Sequence, residues 1–253
     1  MNAYMKFAAG PQAGTGPAQE EGRGYTACLV VEVLYMLLDV SGSMESPDWP
    51  PTRLGAAQES ATALLNVKRA SHPQDHVAVV SYSDSAKVVH RPAEVGAEYR
   101  SLAAAISRLE SEGGTNIESG LEMVERSIKS GGAIGSTFRG LGWLARLNLF
   151  EEEARPTPIG AGAAVTHRLV VLSDGQDVLD APPPVAGRLK ARAVTIDTIG
   201  IGGSPEDVNE DLLKAIASVG PDGQPRYCFI GQKNGKQRLV AKFEQLGRHL
   251  RLP

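Results

Sequence analysis

The chain has 253 residues, of which 42% are apolar and 22% charged, which is enough apolar material for a sizeable core. Its formal net charge of -3 gives no reason to expect nucleic acid as the main partner. The first ten residues lack the continuous apolar segment of a signal peptide, and the apolar run at residues 30–38 is too short to span a membrane. A cytoplasmic location without a membrane role is therefore expected.

The first half of the sequence alternates apolar runs with helical patterns. Residues 1–24 are predicted to form a flexible leader, because Gly, Pro, Ala and Gln dominate its later part without an apolar period. A buried strand is predicted at residues 30–38. Thr52 can then cap a helix that runs to about Ala70. A strand at residues 76–82 and an antiparallel edge partner at residues 86–90 follow.

The middle of the chain interrupts this rhythm. Apolar spacing predicts a helix around residues 99–109 and another at residues 117–128. The region from about 131 to 166 is interpreted as an insertion, because connections of this length are usually functional or disordered. Within it, Trp143, Leu147 and Phe150 share one helix face. That face either packs on the domain itself or forms a partner site.

Regular alternation returns after the insertion and defines the fold class. The predicted elements are a strand at 168–173, a helix at 185–192, a strand at 194–201, a helix at 205–219, a strand at 226–230 and a helix at 235–249. This alternation predicts one α/β domain over residues 25–253. We expect a doubly wound, Rossmann-like and mostly parallel sheet with one antiparallel edge strand and helices on both faces.

Oxygen-bearing side chains follow two of the predicted strands and precede one helix. Asp39, Ser41 and Ser43 come directly after the first strand. Thr115 lies in a Gly-Gly-Thr-Asn loop before a helix, and Asp174 follows the strand at 168–173. Ligands of open α/β sheets bind outside the carboxyl ends of the strands, so these loops are expected to meet there. Carboxylates and hydroxyls are hard oxygen donors, which suit Mg²⁺.

Taken singly, each of these residues has an ordinary structural explanation. Ser41 and Ser43 can cap the turn that follows them, and Asp174 can form an Asx-turn. For all five residues together, a purely structural role is a poor explanation. The sequence therefore favours a divalent metal site.

The order and approximate spacing of the five residues resemble the von Willebrand factor A (vWA) domain and its metal-ion-dependent adhesion site. The family pattern is Asp-x-Ser-x-Ser after the first strand, a Thr before a later helix and an Asp after the fourth strand. Residues 39–43, Thr115 and Asp174 follow it. The resemblance covers about residues 30–250, apart from the insertion.

The resemblance implies a specific chemistry. Ser41, Ser43 and Thr115 are expected to offer hydroxyl oxygens to Mg²⁺ or Mn²⁺, and Asp39 and Asp174 to act directly or through water. A remaining coordination position is expected to attract an Asp or Glu of a partner protein. The resemblance suggests a stand-alone, bacterial-type adaptor that works beside ATPases, kinases or phosphatases in stress or defence systems.

An enzyme is the main alternative. Asp39 at a strand end suits a Mg²⁺-dependent hydrolase or phosphotransferase, but that class needs a second acid close by, and here hydroxyls follow. The chain has neither a Gly-x-Ser-x-Gly elbow nor a phosphate-binding loop. A binding module is therefore favoured over an enzyme. A metal-free structural subunit is the third alternative, and it would fit better if the acid and hydroxyl positions had been lost.

Overall fold

The computed structural model describes residues 30–131, 164–174, 177 and 183–248. The predicted leader, residues 132–163 of the predicted insertion and its apolar helix face lie outside the described residues. The predicted domain boundaries therefore stay predictions. The described ranges contain every strand predicted from the sequence and, outside the insertion, the predicted helices up to residue 248.

The described residues form six strands, which are β1 Val30–Asp39, β2 His76–Tyr82, β3 Ala86–Glu94, β4 Ala164–Ser173, β5 Val194–Gly202 and β6 Tyr227–Gly231. They make one sheet with the order β3-β2-β1-β4-β5-β6. At one edge of the sheet β3 is antiparallel to β2, as predicted. Every other neighbouring pair is parallel. This confirms the predicted fold class.

Helices cover both faces of this sheet because the central strands carry apolar side chains on both sides. In β1, Leu34, Met36 and Leu38 contribute to one core cluster, and Val33, Tyr35 and Leu37 contribute to the other. The first cluster packs under α1, α2 and α6, and the second under α3, α4 and α5. The helices are α1 Arg53–Ser71, α2 Val95–Ser107, α3 Ile117–Gly131, α4 Pro184–Ala191, α5 Glu210–Ile216 and α6 Gly235–Gly247. None of those described is long and apolar enough to cross a membrane.

One predicted helix is wrong. In place of a single helix over residues 205–219, the chain forms a 3-10 turn at Pro205–Asp207 and then α5. Ser204 and Asp207 close a capping box around the turn, and Val208 leaves it in an extended conformation. Asn209 then caps α5 by accepting from the Leu212 N–H at 3.1 Å. Two N-terminal signals five residues apart therefore start two short elements.

Two strand boundaries also differ from the prediction. Strand β4 begins at Ala164, four residues before the predicted start, and pairs along nearly the whole of β1. Strand β3 continues to Glu94, because an edge strand tolerates a proline, here Pro92. Neither difference moves the carboxyl end of β1 or β4, where Asp39 and Asp174 lie.

Chain order decides where the loops meet. Strands β2 and β3 extend the sheet to one side of β1, whereas β4, β5 and β6 extend it to the other side. The connection directions therefore reverse between β1 and β4, which is the position where open α/β sheets bind their ligands. Asp39 ends β1 and Asp174 directly follows β4.

Candidate metal centre

The first loop holds its carboxylate inside the protein and its hydroxyls progressively further out. Asp39 is fully buried, Ser41 is buried, and Ser43 is exposed. Asp39 Oδ1 accepts from the backbone N–H of Ser41 at 2.8 Å, and Asp39 Oδ2 accepts from Ser173 Oγ at 3.0 Å. A 3-10 turn, Gly42–Glu45, then carries the chain away from β1. The loop therefore holds the Asp39 carboxylate inside the protein and places Ser43 at the surface.

Hydrogen bonds join the first loop to the loop after β4. Ser43 Oγ donates to Asp174 Oδ1 at 2.7 Å, and Ser41 Oγ lies 3.1 Å from Ser43 Oγ. Asp39 connects to the same loop through Ser173, the residue before Asp174. Four of the five predicted site residues thus lie in one cluster, although residues 43 and 174 are 131 positions apart in the sequence.

The loop with Thr115 is fastened beside this cluster by backbone contacts. Gly42 N–H donates to the Gly113 carbonyl at 2.9 Å, and Glu112 N–H donates to the Val40 carbonyl at 2.7 Å. Ser111 Oγ also donates to the Ser41 carbonyl. Thr115 itself is half-buried, and within the described residues its hydroxyl makes no hydrogen bond to the other four predicted residues. The structure therefore brings its loop, but not its hydroxyl, into the hydrogen-bonded cluster.

The two carboxylates occupy an environment that disfavours their negative charge. Burial raises the pKa of Asp39 to about 6, and the nearby charge of Asp174 adds to this effect, although hydrogen bonds from Ser41 and Ser173 oppose it. Burial also raises the pKa of Asp174, against the opposing effect of Ser43 and Arg53. Two acids whose ionised forms are poorly stabilised by the protein create a favourable place for a cation.

The chemistry of the donors fits a small, hard divalent ion. The cluster offers two carboxylates and the hydroxyls of Ser41 and Ser43, all oxygen donors of the kind that Mg²⁺ and Mn²⁺ prefer. No group of three or more His, Cys, Asp or Glu in the described ranges is arranged to hold a metal. A cation here would therefore depend on hydroxyl oxygens and water as well as on Asp39 and Asp174.

Sequence reasoning missed the basic residue at this edge. Arg53, the first residue of α1, donates from Nη1 to Asp174 Oδ2 at 3.0 Å. Its Nε and Nη2 atoms form a fork on Asp48, at 2.9 and 2.7 Å. The only signal in the sequence was a basic residue directly after the helix-capping Thr52, where the positive end of the helix dipole disfavours a cation.

Two further acids hold the Thr115 loop and were also missed. Asp84, in the turn between β2 and β3, accepts from the Gly114 N–H at 3.0 Å. Gly113 adopts a φ of 68°, and an added Cβ there would collide with the Asp84 carboxylate. Asp177 accepts from the Ile117 N–H at 2.6 Å and so caps α3. Asp177 thereby links the Asp174 loop to the helix that follows Thr115.

Comparison with known proteins identifies the family. The pattern of the von Willebrand factor type A domain matches residues 34–176, and the chain therefore belongs to this family. A relative, the uncharacterised protein YfbK of Escherichia coli strain K12, is 28% identical over 212 residues. The match covers 82% of this chain and 30% of YfbK, so the chain spans less than a third of that relative's length.

Solved structures share the fold. A von Willebrand factor type A protein from Catenulispora acidiphila superposes with a TM-score of 0.59 at 20% identity, covering 88% of this chain and 43% of the other. Proximal thread matrix protein 1 from the mussel byssus, solved with a zinc-occupied MIDAS motif, gives a TM-score of 0.54 at 16% identity. That match covers 87% of this chain and 46% of the mussel protein. At these identities the likeness concerns the fold alone.

Proposed function

We propose that this chain is a protein-binding domain that engages an acidic residue of its partner through a divalent metal ion. Asp39, Ser41, Ser43, Thr115 and Asp174 hold Mg²⁺ or Mn²⁺ in this proposal. The ion supplies positive charge that an incoming Asp or Glu can bind. The domain acts as a cytoplasmic adaptor, and a bacterial stress, defence or ATPase-associated system is the proposed setting.

One observation carries the proposal. Asp39, Ser41, Ser43 and Asp174 come from two distant loops and lie in a single hydrogen-bonded cluster at the point where the sheet reverses its connections. Membership of the vWA family supports a protein-interaction domain. The mussel protein of the same fold, with its zinc-occupied motif, supports the choice of a metal as the mediator.

Catalysis by Asp39 is disfavoured by its environment. A carboxylate nucleophile must reach its substrate, but Asp39 is fully buried and both of its oxygens accept hydrogen bonds from the protein. Ser43 is the exposed residue of the cluster, whereas Asp39, Ser41 and Asp174 are buried. We therefore propose binding rather than hydrolysis or phosphoryl transfer.

Metal binding is tested with two hydroxyl variants. Ser43→Ala removes the group that joins Asp174 to Ser41, and Thr115→Ala removes the hydroxyl of the third loop. Each variant is expected to bind Mn²⁺ at least tenfold more weakly than the unaltered chain in calorimetric titration. Unchanged Mn²⁺ binding in both variants would refute the proposed ligand set.

The controls remove the same groups elsewhere. Ser60→Ala and Thr62→Ala delete hydroxyls that donate to carbonyls of their own helix, α1, at 2.7 and 2.8 Å. Both controls are expected to bind Mn²⁺ like the unaltered chain.

The partner is then sought by affinity capture with Mg²⁺ and with EDTA. A captured protein counts as the partner when EDTA releases it and Asp-to-Asn or Glu-to-Gln changes in that protein abolish binding.

A further inference from the structure

Arg53 occupies a position that helix electrostatics disfavour. It is the first residue of α1, where the unpaired N–H groups give the helix end a partial positive charge. Thr52 already caps this end by accepting from the Gly55 N–H at 3.0 Å. A guanidinium at this place therefore needs compensation, and Asp48 and Asp174 provide it.

The guanidinium shares Asp174 with the proposed metal site. Asp174 Oδ2 accepts from Arg53 Nη1 at 3.0 Å, while Oδ1 accepts from Ser43 at 2.7 Å. One oxygen of the carboxylate thus faces a fixed cation and the other faces the hydroxyl cluster. A metal ion bound to the cluster would compete with Arg53 for the negative charge of the same acid.

Arg53 also keeps donors for a ligand. A guanidinium has five N–H groups, and within the described residues three of them donate, two to Asp48 and one to Asp174. The side chain retains 13% of its exposure. Two N–H groups therefore remain for an oxygen ligand, and the planar guanidinium matches the geometry of a carboxylate.

We propose that Arg53 determines the ligand specificity of this site by acting in opposite directions on its two ligands. It weakens the binding of the divalent cation by charge repulsion, and it strengthens the binding of the partner's carboxylate by donating hydrogen bonds to it. The inference rests on the proposed function and adds to it a selection for acidic ligands over neutral ones.

The test uses the full chain with Mn²⁺ and acetate as probes. Mn²⁺ affinity is measured by titration. Acetate binding to the Mn²⁺-loaded protein is followed by the relaxation rate of water protons. This rate falls when a carboxylate displaces water from the ion. For Arg53→Gln, the expected result is Mn²⁺ binding about threefold to tenfold tighter and acetate binding weaker by a similar factor. Arg248→Gln is the matched control and should change neither, because Arg248 pairs with Glu244 at the end of α6.

A second variant reverses the expected signs and covers the case in which Arg53→Gln fails to fold. Asp48→Asn removes one of the two acids that compensate the charge of Arg53, so Mn²⁺ should bind more weakly and acetate more tightly. A merely structural role for Arg53 would weaken both ligands together. That result, or no change in either affinity for both variants, overturns the inference. If the unaltered chain binds no Mn²⁺ at all, the proposed function fails and the inference fails with it.

Discussion

The sheet buries acids at two opposite edges, the one where β1 begins and the one where β1 ends, but the surroundings of the negative charge differ between them. At the edge where β1 begins, the fully buried Lys68 donates to Glu32 and to Asp75, with a distance of 2.8 Å to Asp75 Oδ2. At the edge where β1 ends, Asp39 is equally buried, yet no Lys or Arg among the described residues forms an ion pair with it. The acids at the first edge share a buried cation, whereas Asp39 at the second edge is suited to receive one.

The difference separates a structural ion cluster from a candidate binding site. Lys68 lies near the end of α1 and fixes that helix against the start of β1 and the segment before β2. Arg53, at the other end of α1, contacts Asp174 but shares its charge with Asp48. The same helix therefore supplies one cation to two acids at each edge, and among the described residues Asp39 is held by hydrogen bonds without an ion pair.

The largest expected effect comes from removing the buried cation. Lys68→Met leaves Glu32 and Asp75 without their shared partner, and we expect the free energy of unfolding to fall by about 3–5 kcal/mol. Lys236→Met is the matched control, because Lys236 pairs with Glu59 at the surface and should cost less than about 1 kcal/mol. Urea denaturation measures both. Equal losses for the two variants would contradict a structural role for the buried cluster.

The second prediction compares matched acids at the two edges. Asp75→Asn removes one of the two acids to which the buried Lys68 donates and should lower the free energy of unfolding by about 2–4 kcal/mol. Asp39→Asn removes a charge that has no cation partner, so the metal-free protein should stay within about 1 kcal/mol of the unaltered chain. The same variant should lose the rise in melting temperature that Mn²⁺ produces. A large stability loss for Asp39→Asn without metal would show that both edges are structural.

The third prediction concerns pH at the metal edge. Because burial raises the pKa of Asp39 to about 6, folding favours its protonated form. Its contribution to the stability of the metal-free protein is therefore present at acid pH and is lost as pH rises through about 6. Metal binding needs the carboxylate, so Mn²⁺ affinity should fall roughly tenfold for each pH unit below 6. Titration with Mn²⁺ at pH 5, 6 and 7 checks this, and a flat profile would exclude Asp39 as a ligand.

The smallest effect is expected at Asp177, an acid whose described partner is the N–H group at the start of α3. Asp177→Ala removes the carboxylate that accepts from the Ile117 N–H, and loss of this cap should cost about 1 kcal/mol. Asp177→Asn keeps an oxygen acceptor and should cost less. Thermal unfolding of the two variants distinguishes them. If Asn costs as much as Ala, charge rather than hydrogen bonding holds the start of α3.

Local patterns in the sequence predicted the parts of the fold that depend on neighbouring residues. Apolar runs bounded by polar residues located the strands, and Thr52 marked the start of α1 within one residue. The prediction of one helix over 205–219 was wrong because the apolar spacing suggested a continuous helix. The single residue Asn209, which caps a second helix start, is a weak signal against such a pattern. Of the proposed ligands, Asp39 and Asp174 were placed correctly at strand ends, and their role as metal ligands stays a prediction.

The α/β alternation, the Asp-x-Ser-x-Ser run at residues 39–43 and the positions of Asp39 and Asp174 at strand ends could be predicted from the sequence, because each of them arises within a few consecutive residues. Only the folded arrangement brings Ser43 to Asp174, holds Arg53 between Asp48 and Asp174, and lets Asp84 and Asp177 fasten the Thr115 loop. These contacts depend on strand order and on the packing of α1 and α3 against the sheet. Residue spacing does not encode them directly, because each one joins separate loops whose directions are set by the packed core.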